Sequence, residues 1–116
     1  MSGGDGGLWI LTTTFPDRAS ATAAAHTLVE EDLAACAQIG ADLVSLYRWR
    51  GSVQEEHEVA LVMKVRTDRY DACAARLLAL HPYEVPELLG WPADRVSDPY
   101  RRWAYGEDGP DGGNGQ

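Results

Sequence analysis

Basic residues and cysteines are scarce in this chain, and long apolar runs are missing. Only 10 Lys and Arg stand against 18 Asp and Glu in 116 residues, a formal charge of -8. Nucleic acid and anionic membrane surfaces are held by clustered cations, so neither is an expected partner. No stretch approaches the ~20 apolar residues of a membrane span, and the opening MSGGDGG has neither the basic nor the apolar region of a secretory signal. The expected compartment is the cytoplasm. Cys36 and Cys73 are too few and too far apart for a disulfide framework or a CxxC site, and both are expected as reduced, buried thiols.

What is present, 45% hydrophobic residues, suffices for one core and no more. Residues 1–7 and the acidic, glycine-rich tail 106–116 have almost nothing to bury and are expected to be disordered. That leaves one domain over residues 8–105. Its first segment, LWILTTTF, ends at Pro16-Asp17 and reads as a buried strand followed by a turn. Asp17 is a good N-cap, and Ala21, Ala24, Ala25 and Leu28 mark one helical face, so a helix is expected over residues 17–33.

Residues 36–50 and 53–66 form the arms of a long hairpin. In the second arm Val59, Leu61, Met63 and Val65 alternate with Glu58, Ala60, Val62 and Lys64, the period of a strand. With Gly51-Ser52 as the loop, Arg48 would face Glu55 and Tyr47 would face Glu56. Asp68 is the expected cap of a second helix with Tyr70, Cys73, Ala74 and Leu77 on one face, stopped by Pro82. A short strand is expected over residues 85–91, and Asp98-Pro99 opens a small helix over residues 100–105.

Strand, helix, strand, strand, helix, strand is the ferredoxin-like α+β order, with an antiparallel sheet carrying two helices on one face. Leu43, Val44, Leu46, Tyr47 and Trp49 make the hairpin apolar on both faces, so a homo-oligomer is expected to cover it.

These segments resemble the CutA family of divalent-cation tolerance proteins. The likeness rests on Thr14-Phe15-Pro16-Asp17, Leu33-Ala34-Ala35-Cys36-Ala37, Ser45-Leu46-Tyr47-Arg48-Trp49-Arg50-Gly51, Glu58-Val59, Lys64 and the octapeptide HPYEVPEL at residues 81–88. It implies a homotrimer similar to the PII signalling proteins, with long hairpins, Tyr47 and Trp49 among their residues, paired between subunits. It implies a non-enzymatic role in the response to metal ions, with copper or another divalent cation as the ligand. Some members carry Cys where this chain has Thr13 and a second His where it has Leu80, and thiolate is the softer ligand that suits Cu(I).

For the 81–87 segment the metal reading makes His81 a ligand and Glu87 an oxygen donor. The structural reading has Pro82 end the helix, Tyr83 pack and His81 hydrogen-bond internally. Trp49, Lys64 and Tyr83 are the candidate lining of an intersubunit cleft, and a PII-like small-molecule sensor is the alternative function. Lys64, in an apolar strand, must reach a carboxylate or a cleft. Glu55-Glu56-His57-Glu58 is expected as a solvated strand. The turn at residues 12–17 has no glycine, so it does not read as a phosphate cradle.

Overall fold

The computed structural model describes residues 6–107. Strand β1 (Leu8–Phe15) is followed by helix α1 (Arg18–Glu30), the paired strands β2 (Cys36–Trp49) and β3 (Ser52–Arg66), helix α2 (Tyr70–Leu80), strand β4 (Leu89–Pro92) and helix α3 (Asp98–Ala104). The strands form one antiparallel sheet in the order β2-β3-β1-β4. This is the ferredoxin-like arrangement that the element order implies.

One face of the sheet carries the core. Leu11, Phe15, Leu61, Met63 and Val65 alternate along β1 and β3 and pack under Ala21, Ala24, Ala25 and Leu28 of α1 and Cys73 and Leu77 of α2. Alanine on the buried side of α1 lets that helix lie close to the sheet. The Asp17 carboxylate accepts the Ser20 N–H at 2.7 Å and starts α1. The helix stops at Glu30, short of residue 33, because Asp32 takes a left-handed φ of 60°. The Leu33 N–H then returns to the Leu28 carbonyl at 2.9 Å, which caps the helix and turns Leu33 toward the core.

Other boundaries shift for local reasons. The hairpin loop is Arg50-Gly51, with φ of 52° and 88°, and Trp49 pairs with Ser52. Two positive φ values in succession make the tight hairpin turn. Arg48 therefore faces Val53 and Tyr47 faces Gln54, so the expected Arg48–Glu55 and Tyr47–Glu56 pairs do not form. Asp68 does not cap α2: its carboxylate is held by the Arg66 guanidinium at 2.6 and 2.9 Å, and a 3-10 turn over Thr67–Arg69 leads into the helix. The last strand begins at Leu89, since the prolines of the 82–86 stretch keep it off the ladder. Ser97, one residue earlier than expected, precedes α3.

Two irregularities matter for function. Between Ile39 and Asp42 the register of β2 against β3 shifts by one residue, so Gly40 and Ala41 together oppose Ala60. Such a bulge reverses which side chains face which side of the sheet beyond it. The outer part of the hairpin also runs past the helices, leaving Val44, Leu46 and Val53 exposed by 52%, 67% and 63%. The Gly7 carbonyl is held by the Thr67 N–H and the Tyr105 hydroxyl. The remainder of the ends expected to be disordered, residues 1–5 and 108–116, lies outside the described residues. Among the described residues no helix is long and apolar enough to cross a membrane.

Candidate functional site

The HPYEVPE segment leaves α2 and wraps the end of β1. His81 starts it from a buried position, its ring stacked on Phe15 at a centroid distance of 4.2 Å. The Tyr83 N–H points at Nδ1 from 3.2 Å, which makes Nδ1 an acceptor and places the ring proton on Nε2. That Nε2–H then donates to the Thr14 carbonyl at 2.7 Å. Both nitrogens of a neutral imidazole are thereby engaged within the chain. Burial holds the His81 pKa below its ordinary value of 6.5, against the opposing pull of the Thr14 carbonyl and the Glu58 charge.

Thr13, fully buried, fixes the far end of the same segment. Its hydroxyl donates to the Glu87 carbonyl at 2.6 Å and lies 3.3 Å from His81 Nε2. Between these anchors, the Tyr83 hydroxyl donates to Glu58 Oε2 at 2.8 Å, and the Thr14 hydroxyl reaches the same oxygen at 3.2 Å. Glu58 is therefore a buried acceptor rather than part of a solvated strand. Burial, and then the hydrogen bond to Glu58, push the Tyr83 phenol far above its usual range, so it remains a donor.

Together these contacts close a cleft of about 830 Å³ between the loop and the hairpin. Tyr47, Trp49 and Tyr83 give it aromatic surface, and Glu56, Glu84 and Glu87 give it carboxylates. The β2 bulge is what brings Tyr47 and Trp49 here: beyond it, Leu43 pairs with Glu58 and Ser45 with Glu56, so the odd-numbered residues of β2 share a face with these acids. Arg50 approaches Glu84 at 3.9 Å, both well exposed. Among the described residues, no three His, Cys, Asp or Glu side chains converge as a ready metal site.

Of the residues singled out in the sequence, Trp49, Tyr83 and Glu87 line this one cleft, with Tyr47 beside them and His81 supporting it from below. Lys64 lies elsewhere within the chain. It sits opposite Cys36, its ammonium on the side-chain oxygen of Gln38 rather than on a carboxylate. Thr14 and Glu58 were not expected at the site, and Thr13 was singled out only for lacking a thiol. Their partners lie 25 to 74 residues away, a separation that no local pattern reveals.

The strand order and the helices on one face define the chain as a ferredoxin-like α+β protein, extended here by an overlong hairpin that meets a proline-rich loop. Within that class, residues 9–107 match the family described as CutA1 divalent ion tolerance protein. The Divalent-cation tolerance protein CutA of Pyrococcus horikoshii is 37% identical over 98 residues, covering 84% of this chain and 95% of that protein. The Thermus thermophilus protein of the same name is 39% identical over 94 residues, covering 81% and 91%. The crystal structure of CutA1 from Shewanella sp. SIB1 superposes with a TM-score of 0.82 at 37% identity, covering 89% of this chain and 95% of that one. The chain belongs to the CutA family.

Proposed function

We propose that this protein is a non-enzymatic, cytoplasmic homotrimer that serves divalent-cation tolerance by holding divalent ions weakly at the cleft between the hairpin and the 81–87 loop. The observation that carries this reading is the lining of that cleft, in which Glu56, Glu84 and Glu87 face a space open to solvent. Carboxylate and water are the donors that suit hard divalent ions, whereas Cu(I) seeks sulfur. Cys73 lies in the core and Thr13 occupies the position where thiolate would have been available. Glu87 enters as a ligand, and His81, with both nitrogens engaged, as the residue that holds the loop. The exposed apolar side chains of the hairpin, Val44, Leu46 and Val53, support assembly with further copies of the chain.

Native mass spectrometry of the full-length protein with Mn(II), Zn(II) and Cu(II) tests both parts. The expected result is a trimer that takes up Mn(II) or Zn(II) with affinities on the order of 10⁻³ M and loses them in Glu87→Gln. A monomer would end the assembly reading. Stoichiometric copper that disappears in His81→Ala would make the imidazole the ligand and overturn the assignment to carboxylates.

A further inference from the structure

The face of the sheet opposite α1 and α2 is apolar along its middle and charged at its two ends. Strand pairing sets Ile10, Val62, Leu89 and Trp91 on that face, and Leu89 and Trp91 are exposed within the single chain. The charges both come from β3. Glu58 and Lys64 share the face because side chains alternate along a strand, and the six residues between them span about 20 Å.

Neither charge is matched among the described residues. Glu58 is 9% exposed, and its Oε2 accepts from the Tyr83 and Thr14 hydroxyls, both neutral. That leaves Oε1 without a cation. Lys64, the one lysine of the chain, donates to the neutral side-chain oxygen of Gln38. Elsewhere Arg18, Arg66, Arg69, Arg76 and Arg101 each reach a carboxylate within 3.3 Å. A buried carboxylate with no counter-charge is costly, and so is an ammonium set in an apolar strand. Two such charges of opposite sign, on one face and out of each other's reach, call for a partner that brings the complement of both.

We propose that this partner is the next copy of the chain, and that Lys64 of the partner subunit pairs with Glu58 at the inner end of the cleft. A closed three-fold ring repeats one heterologous contact, in which a patch of each subunit meets a different patch of the next. A cation at one end of the face and an anion at the other satisfy that rule and give three identical ion pairs. The apolar middle of the face, which a lone chain would expose, is covered by the same contact. Since Glu58 also lines the cleft beside Tyr83, the cleft is completed by two chains. The inference rests on the homotrimeric part of the functional reading and not on the cation that the cleft holds.

The test is a double-mutant cycle on subunit exchange, read by native mass spectrometry after mixing ¹⁴N and ¹⁵N full-length protein. Lys64→Met and Glu58→Gln keep the length of each side chain and remove its charge. Each is expected to speed exchange by roughly tenfold or more, and the double variant to exchange no faster than the faster single one. Within one chain the two residues are too far apart to couple, so such non-additivity arises across the interface. A monomeric wild-type protein would remove the homotrimer and this pair with it. A trimer in which the two effects multiply, or in which Lys64→Met exchanges at the wild-type rate, would overturn the pair alone.

Discussion

Thr13 and Glu87 are joined across 74 residues of sequence by a hydrogen bond of 2.6 Å from a buried hydroxyl to a backbone carbonyl. The bond ties the end of the 81–87 loop to β1, and with it one wall of the cleft between that loop and the hairpin. Thr13→Val keeps the shape of the side chain but leaves that carbonyl without its donor. It should cost about 1–3 kcal/mol, read as a lowered urea midpoint, whereas Thr13→Ser should cost much less. Equal losses in the two variants would mean that packing of the methyl group, not the hydroxyl, is what matters.

His81 should make stability depend on pH. Its folded-state pKa lies below the ordinary 6.5 because of burial. Above that value both folded and unfolded states hold the ring neutral, and its contribution is complete. As the pH falls below it the unfolded chain takes up the proton first, so stability drops until the folded-state value is passed. Urea unfolding between about pH 7 and about pH 5.5 should show this loss, and His81→Gln, with no titrating ring, should show less of it. The same slope in both proteins would place the proton uptake on other groups.

Gly90 is expected to tolerate no side chain. A Cβ there would stand 2.8 and 2.9 Å from ring carbons of Tyr70, and Tyr70 is itself packed on Trp9 at a centroid distance of 4.9 Å. Gly90→Ala should therefore displace the tyrosine ring and destabilise the fold by about 1–3 kcal/mol. Near-ultraviolet circular dichroism should report the change at the Trp9–Tyr70 pair. An unaltered spectrum with full stability would show that β4 can slide aside without strain.

At the hairpin tip the strain runs the other way. Arg50 holds a φ of 52°, a conformation that Asn accepts more readily than Arg, and Asn-Gly is the favoured pair for this turn. Arg50→Asn should stabilise the protein by roughly 0.5 kcal/mol, with Gly51→Ala acting in the opposite direction. A fall in thermal stability for Arg50→Asn would give the exposed Arg50–Glu84 pair more weight than its 3.9 Å separation suggests.

Much of the fold was written in local pattern. β1, α1 with its alanine face and Asp17 cap, the long hairpin and the strand order all follow from alternation, helical spacing and turn residues, and the family follows from the segments those elements carry. The tip was misplaced by one residue because nothing in Arg50 announces a left-handed conformation. The last strand was begun too early because valine and leucine between prolines look extended without being paired. The cleft is legible in part: Trp49, Tyr83 and Glu87 stand out from the sequence alone, but Glu58 reads as one more surface acid. Its burial depends on Thr14 and Tyr83 arriving from opposite directions in the chain, which alternation along β3 does not encode.

The extra residue between Ile39 and Asp42 lets the root and the tip of the hairpin keep separate registers. Removing either Gly40 or Ala41 would let the other alone oppose Ala60, with Ile39 still on Leu61 and Asp42 still on Val59, so Tyr47 and Trp49 would keep their pairing with Gln54 and Ser52. The outer arm therefore takes its register from the turn at Arg50-Gly51, and the bulge takes up the difference in strand length at its root.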